Sequence, residues 1–281
     1  MEDNIILHSI GDRFPKGIFT ERDSVFDNAV NFKWNEQVVS VVHSPLSAGP
    51  YTIVEWGLPI RDIEQIEVKE NQFIINKHET IEYSEEQIYH SSVDMTELSM
   101  DLICQNLAFI RKYWLPKFPD KSLGFLLDPC NEIQTDSAFE YNYMEQMHEL
   151  YAELINDNSL KSILAFRGYG YGQTPSGDDF IIGYMMGLQI LIALGKNELS
   201  KLLEFIYADL LRKSNNRLVN QYARMACEGS YAEHWKYFIA SFTGMELSHT
   251  DALLEPILSF GETSGADTMV GLITCLDLEL F

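Results

Sequence analysis

Residues 167–180 of this 281-residue chain read RGYGYGQTPSGDDF, a glycine-rich loop that runs into an apolar stretch with helical spacing. Its glycines occupy alternate positions: Gly168, Gly170 and Gly172. Glycine permits positive φ and the close approach of a ligand or another backbone, and Pro175 fixes one φ before the helix. We therefore expect the loop to lead into a helix N-terminus, where N–H groups and the positive dipole end favour phosphate or carboxylate.

The two acids of this loop are not equally explained by a helix start. Ser176 and Asp179 have the spacing of a capping box, which is an ordinary structural device. Asp178 is not needed for a cap, and with the glycines it favours a ligand site. Three roles stay open for Asp178 and Asp179: they can accept a proton, hold a metal ion or cap the helix. The loop lacks the lysine of a Walker phosphate loop and the glycine spacing of a dinucleotide-binding turn.

Residues 261–271 (GETSGADTMVG) repeat the pattern near the end of the chain. Four identities superpose at a constant offset: Ser176 on Ser264, Gly177 on Gly265, Asp179 on Asp267 and Gly183 on Gly271. We expect two related helix openings that meet in space, with both N-termini facing one pocket and the later glycine allowing close helix contact. The alternative is a chance similarity between two capping boxes.

A basic segment follows the central helix in this acidic sequence. Its cations fall within thirteen residues: Arg212, Lys213, Arg217 and Arg224. They can form an anion-attracting wall together with Ser214 and Asn216. Arg212 and Lys213 also have a simpler explanation, because cations are favoured at the C-terminus of a helix.

These patterns define the candidate site. The candidate catalytic residues are Asp178 and Asp179. The candidate substrate-binding residues are Arg167, Gly170, Gly172, Thr174, Ser176, Gly177, Asn216, Arg217, Ser264, Gly265 and Asp267. Backbone N–H groups at Gly172, Ser176 and Gly177 are expected to hold phosphate or to stabilise a tetrahedral oxyanion, with Arg167 and Arg217 as counter-charges. A side chain at position 177 is then expected to obstruct the ligand.

The composition limits the partners. A formal net charge of −22 disfavours binding to nucleic acid and to acidic lipid surfaces, so a small anion needs local positive charge. Residues 1–4 (MEDN) do not begin a signal peptide, and no apolar run is long enough to span a membrane, which predicts a cytoplasmic protein.

Cysteine and histidine patterns indicate neither a metal site nor a cofactor. The four cysteines, Cys104, Cys130, Cys227 and Cys275, are widely spaced, so we expect reduced thiols. The seven histidines form no His-x-His or His-Glu-x-x-His pair. We therefore assign no metal and no cofactor.

The distribution of periodicities predicts an α+β protein with a β-rich lobe over residues 1–90 and a mainly helical lobe over residues 91–281. Short β-branched runs at 36–42 and 51–54 predict strands, and the runs at 72–76 and 79–83 predict a hairpin that turns at Lys77 and His78. We expect a small sheet or a partly open barrel. Ser137 with Glu140 predicts the start of a helix that continues to about residue 156.

The central run G-x-G-x-G-x-T-P-S-G-D-D-F at 168–180, followed by S-G-x-D at 264–267, resembles the AllH family. Shorter similarities occur at 24–26 (SVF), 29–31 (AVN) and 214–216 (SNN). The resemblance implies a subunit of an oxamate carbamoyltransferase in anaerobic allantoin and purine degradation. That enzyme interconverts oxalurate plus phosphate with oxamate plus carbamoyl phosphate. Tyr169, Tyr171 and Gln173 depart from the family pattern, which affects the identity of the ligand more than the fold.

Three functions follow as hypotheses. The first is an AllH-like carbamoyltransferase component that binds phosphate, carbamoyl phosphate, oxamate or oxalurate and works with other protein subunits. The second is a non-catalytic subunit that binds a small carboxylate or acts as a scaffold. The third, a phosphoryl transferase with paired acids for magnesium, is disfavoured because the chain lacks a lysine-bearing phosphate loop.

Overall fold

A computed structural model describes residues 6–43, 46–57, 59–96, 98–128, 137–170, 172–248 and 251–281. Residues 1–5, Tyr171 and Cys130 lie outside this set, as do the expectations that concern them. The fold is α+β, with 52% helix and 17% strand, so the predicted class is confirmed. Two compact units are present: residues 1–93 with 230–236, and residues 94–229 with 237–281. The domain boundary near residue 90 stays a prediction.

The first unit contains two open sheets, and among its described residues neither closes into a barrel. The strands are β1 (Ile6–Gly11), β2 (Gly17–Phe19), β3 (Arg22–Val25), β4 (Ala29–Trp34), β5 (Gln37–His43), β6 (Thr52–Trp56), β7 (Ile66–Val68), β8 (Gln72–Ile75), β9 (Glu79–Glu82) and β10 (Ile88–Tyr89). The larger sheet has the order β10-β1-β6-β5-β4-β3, and the smaller has the order β2-β7-β8-β9. The pairs β1–β10 and β5–β6 are parallel, and the other pairs are antiparallel.

The predicted hairpin is confirmed as β8–β9, in register from Gln72 with Glu82 to Ile75 with Glu79. Its turn places Asn76 at φ 49° and Lys77 at φ 68°. Three residues separate Ile75 from Glu79, and positive φ at two successive residues is typical of a type I′ turn, a conformation that asparagine tolerates better than most residues. The turn thus begins one residue before the predicted position.

The second unit is helical. The α-helices in the described part of the chain are α1 (Met100–Phe109), α2 (Ala138–Asn156), α3 (Leu160–Leu164), α4 (Ser176–Ala193), α5 (Ser200–Lys213), α6 (Arg217–Glu228), α7 (Glu233–Gly244), α8 (Leu254–Leu258) and α9 (Ser264–Leu280). The predicted cap of α2 is confirmed, because the Ser137 hydroxyl accepts from the N–H of Glu140 at 3.3 Å.

Helices α4 and α9 form the core of this unit. Both are apolar on nearly every side, and almost all residues of α4 are buried. A helix that is apolar all round has to lie inside a protein, surrounded by other elements.

Glycines bring α4 and α9 into backbone contact. A Cβ at Gly183 would lie 1.8 Å from the carbonyl oxygen of Thr268, and a Cβ at Gly271 would lie 1.9 Å from that of Phe180. Further along, a Cβ at Gly187 would lie 2.7 Å from the Cβ of Cys275. The contacts advance in the same direction on both helices, so α4 and α9 are parallel and their N-termini lie together. The close contact expected for Gly183 and Gly271 is confirmed.

We predict that Gly183→Ala and Gly271→Ala each lower the free energy of unfolding by about 1–3 kcal/mol or more, because a methyl group has no space between the two backbones. Urea unfolding of the purified chain measures this change. Gly244→Ala is the matched control, since nothing lies within 4 Å of a Cβ there. Equal stability of all three variants would contradict backbone contact between α4 and α9.

Candidate functional site

The site begins where the glycine-rich loop enters α4, and the predicted capping boxes are wrong at both helix openings. Ser176 and Ser264 are the first residues of α4 and α9, the cap positions are Pro175 and Thr263, and neither cap makes a side-chain hydrogen bond. The reason is local backbone bonding. The N–H groups of α4 that a capping box would serve bond instead to Tyr169 and Pro175 carbonyl oxygens.

Hydroxyl groups of the loop and of the two helix starts, none of which caps its own helix, connect the two openings. The hydroxyls of Thr174 and Ser264 lie 3.0 Å apart, and Thr174 also donates to Asp179 at 3.0 Å. The Ser264 hydroxyl interacts with Asp179, and reciprocally the Ser176 hydroxyl interacts with Asp267. The prediction that the two Ser-Gly-x-Asp openings meet in space is therefore confirmed.

The reciprocity extends to the elements before each helix. A Cβ at Gly177 would lie 1.8 Å from the carbonyl oxygen of Phe166, and a Cβ at Gly265 would lie 1.9 Å from that of Ile257. The N–H of Gly177 donates to Tyr169 at 2.8 Å, and the N–H of Gly265 donates to Phe260 at 3.3 Å. Each Ser-Gly-x-Asp helix thus packs on the short helix that precedes it in the same way.

The loops between these helices correspond as well. Gly170 has φ 110° and Gly261 has φ 68°, and a Cβ on either would lie about 3 Å from the hydroxyl of the serine that starts the next helix. Five residues separate Gly170 from Ser176, and two separate Gly261 from Ser264, so the first loop is three residues longer. We name residues 160–193 the first copy and residues 254–280 the second copy of one repeated unit.

This geometry corrects the expectation for Gly177. Its N–H is bonded to Tyr169, so it is not available to an anion, and its missing side chain leaves room for Phe166 rather than for a ligand. Gly177 has no positive φ either. The same holds for the N–H of Gly265, which Phe260 occupies. Both glycines are packing residues of the repeated unit.

The two copies have different residues at the positions of Arg167, Gly168 and Asp178. Counting back from the equivalent Tyr169 and Phe260, Arg167 corresponds to Leu258 and Gly168 to Ser259. Counting from the serines, Asp178 corresponds to Ala266. The second copy packs in the same manner without a cation or an extra acid. The contacts that the two copies share therefore do not involve the side chains of Arg167 and Asp178.

Both of these residues line one open cleft of about 540 Å³ in the second unit. The lining consists of Arg167, Gly168, Asp178, Lys213, Ser214, Asn215 and Asn216. The cleft thus joins the first copy to the segment between α5 and α6. Arg167 and Asp178, which have no charged counterpart in the second copy, both line it, together with a second cation, Lys213.

Asp178 is the acid of the cleft. It is only 4% exposed, and its Oδ1 accepts from the N–H of Gly168 at 3.1 Å. Burial raises the pKa of Asp178 to about 6, and the Gly168 N–H and the Arg167 charge limit the rise. A carboxylate with such a pKa is mostly ionised at neutral pH and is a better base than an exposed aspartate.

The cations of the cleft share one carboxylate. Asp209 on α5 pairs with Arg167, with Lys213 at 3.1 Å and with Arg212 at 2.7 Å. Burial alone would raise the pKa of Asp209, but its bonds with Arg212, Lys213 and Arg167 outweigh burial and lower the pKa. The sequence predicted Lys213 either as part of an anion-attracting wall or as a cation placed by the helix dipole, and it did not identify Asp209. The 42-residue separation between Arg167 and Asp209 leaves no local signal for their contact.

Asn216, Arg217 and Gly172 are further predicted site residues. Asn216 lines the cleft, but its Oδ1 accepts from Leu218 at 3.0 Å and Val219 at 3.3 Å, capping α6, while its Nδ2 donates to the Gln173 carbonyl. Arg217 begins α6 and is not among the described residues that line the cleft. Gly172 adopts φ 93° in the loop.

Asp179 and Asp267 lie between the two helices rather than in the cleft, and they are 3% and 0% exposed. Burial raises the pKa of Asp179 well above its usual range, and the charges of Asp267 and Asp178 add to the rise. Burial also raises the pKa of Asp267 to about 6, although its Oδ1 accepts from the N–H of Leu123 at 2.6 Å. These two acids connect the copies to each other and to the segment around Leu123.

Within the described ranges, no group of three or more His, Cys, Asp or Glu side chains is placed to hold a metal ion. Among the same residues, no helix is both long and apolar enough to cross a membrane. Cys104, Cys227 and Cys275 are free thiols.

The fold and the site define an α+β protein with a cation-lined cleft between the first of two similarly packed helix pairs and the segment from α5 to α6. Residues 166–276 match the family described as oxamate carbamoyltransferase subunit AllH. This segment starts just before the first cleft residue and ends within α9, and the match confirms the resemblance inferred from the motif. Neither the curated proteins nor the solved structures provide a match.

We predict that Asp178→Asn makes the protein more stable at pH 8, by up to about 3 kcal/mol, and has little effect at pH 4. A pKa of 3.8 in the unfolded chain and about 6 in the folded one means that stability is lost as the pH rises through this interval. The asparagine keeps an oxygen for the Gly168 N–H and has no charge to bury. Urea unfolding at both pH values measures the difference.

Asp267→Asn is the matched comparison, because its pKa is also raised to about 6 by burial but it lies outside the cleft. We expect the same gain at high pH for this variant, with anion binding unchanged. A stability difference between parent and Asp178→Asn that does not vary with pH would contradict the burial of a charge at position 178.

Proposed function

We propose that this chain is a subunit of an oxamate carbamoyltransferase and that the cleft at Arg167, Asp178 and Lys213 binds its small anionic substrate. The substrate class comprises phosphate, carbamoyl phosphate, oxamate and oxalurate. The observation that carries the proposal is the difference between the copies, because the first copy differs from the second at residues that converge on the cleft. The match of residues 166–276 to the AllH family supports the reaction.

Local charge supports the choice of ligand. The chain has a formal net charge of −22, so an anion is repelled from most of its surface. Arg167 and Lys213 place two cations on one cleft wall, and guanidinium groups bind carboxylate and phosphate through paired hydrogen bonds. This cleft is therefore a more suitable anion site than the helix openings, whose glycine N–H groups are already bonded.

Asp178 has the properties of the base. In the direction of oxalurate synthesis, the amide nitrogen of oxamate attacks the carbonyl carbon of carbamoyl phosphate, a C–N bond forms, and the carbonyl oxygen gains negative charge. The nitrogen loses a proton, which Asp178 accepts, and collapse of the tetrahedral species breaks the C–O bond and releases phosphate. Arg167 and Lys213 stabilise the charge on the departing phosphate. Positioning of the two reactants supplies the rest of the acceleration.

The family description names a subunit, so we also propose that other protein subunits complete the enzyme and that the complex works in the cytoplasm. The alternative is a non-catalytic role in which the cleft holds a small carboxylate or supports a scaffold. The two differ in one property. A cleft that catalyses the reaction requires Asp178 for turnover in the assembled enzyme. A cleft that only binds the anion requires its cations and does not require Asp178.

We predict that giving the first copy the residues of the second, Arg167→Leu and Asp178→Ala, preserves folding and separates binding from turnover. Arg167→Leu should weaken binding of phosphate and oxamate by at least tenfold, because a charge-assisted hydrogen bond contributes about 1.5–3 kcal/mol. Asp178→Ala should retain binding but lower kcat of the reconstituted complex at least a hundredfold, the usual loss on removing a general base. Calorimetric titration and assay of carbamoyl phosphate formation measure the two effects.

Arg224→Leu is the control, since this arginine pairs with Glu228 at 2.7 Å on α6 and does not line the cleft. It should leave binding and turnover unchanged. Full turnover by Asp178→Ala in the complex would favour the non-catalytic role. Undiminished anion binding by Arg167→Leu would exclude the cleft as the anion site.

A further inference from the structure

Asp209 is the point at which the cleft cations are connected to each other. Its Oδ2 bonds to the Nη1 of Arg167, and its Oδ1 bonds to the Nη2 of Arg212 at 2.7 Å and lies 3.1 Å from the Nζ of Lys213. The Asp209 side chain is 12% exposed, whereas those of Arg167 and Lys213 are 26% and 44% exposed. Each oxygen of the carboxylate therefore holds a different cation of the cleft.

The contacts of Asp209 are of two kinds. Those with Arg212 and Lys213 join residues three and four positions apart on α5, a common arrangement on helix surfaces. The bond to Arg167 joins α5 to the loop that precedes α4, across 42 residues of sequence. Local helix stability does not require this second contact.

We propose that Asp209 is a positioning residue that fixes Arg167 and Lys213 on the wall of the cleft before the anion arrives. The inference rests on the proposed function, because it concerns the same cleft. Asp209 itself is not among the described residues that line the cleft, so it acts through the two cations.

The physical reason is the freedom of long cationic side chains. Arginine and lysine both lose rotamer entropy when a ligand immobilises them, and like charges in proximity repel each other. The carboxylate of Asp209 offsets this repulsion and orders both side chains during folding rather than during binding. Preorganisation of this kind lowers the cost of association, because each side chain that is already ordered is not immobilised by the ligand.

The test is Asp209→Asn, which keeps the shape of the side chain and removes its charge. We expect the Kd for inorganic phosphate and for oxamate to rise about tenfold in calorimetric titration. In the assembled enzyme, KM for the anionic substrate should rise by a similar factor, with kcat within about twofold. Asp209→Glu should recover affinity to within about threefold of the parent, because a carboxylate on a flexible side chain can reach both cations again.

Glu228→Gln is the matched control, since it neutralises a carboxylate paired with an arginine at 2.7 Å outside the cleft. It should leave the Kd unchanged. The result that overturns the proposal is unchanged or tighter phosphate binding by Asp209→Asn, because Asp209 would then compete with the ligand rather than position its partners. A kcat loss without a KM change would also overturn it.

Two further comparisons distinguish failure of the positioning role from failure to fold and from failure of the proposed function. If Asp209→Asn does not fold, Asp209→Ala decides, and the proposal fails if removing the carboxylate leaves the Kd unchanged while circular dichroism shows a folded protein. If the parent protein binds neither phosphate nor oxamate, the proposed function fails. If the parent binds the anion, Arg167→Leu loses that binding and Asp209→Asn keeps it, only the positioning role is rejected.

Discussion

The backbone contact between α4 and α9 is the constraint on which the helical unit depends. Gly183 and Gly271 permit this contact, since each presents its bare Cα to a carbonyl oxygen of the other helix. A parallel pair in such close contact places both N-termini at one end. The Ser-Gly-x-Asp openings meet there because the helices that they begin cannot separate.

Parallel packing also creates an electrostatic problem. Each helix N-terminus is equivalent to about half a positive charge, and two such ends roughly 8 Å apart repel by about 0.5 kcal/mol at an effective dielectric constant of 20. Asp179 and Asp267 lie in the first turns of α4 and α9, where negative charge is favourable. Their burial makes ionisation costly, so the two acids balance the helix ends against desolvation. Hydroxyl groups from the opposite opening reduce that cost.

Whether an interaction could be predicted from the sequence depends on how far apart its partners lie along the chain. The repeated Ser-Gly-x-Asp motif identified both openings and their contact, because four identities at one offset reflect two copies of the same packing. The local pattern was misread at Ser176, where backbone carbonyls satisfy the helix start and leave the hydroxyl to the neighbouring helix. Arg167 and Asp178 were predicted, but the contact of Arg167 with Asp209 was not. A bond between residues so far apart in sequence exists only after the helices have packed.

The two copies of the repeated unit differ in how many amino acids are acceptable at equivalent positions. Leu258, Ser259 and Ala266 stand where the first copy has Arg167, Gly168 and Asp178, and none of the three is among the described residues that line the cleft. Under the proposed function, the equivalent positions of the first copy have to satisfy packing and ligand chemistry together, which leaves fewer acceptable amino acids.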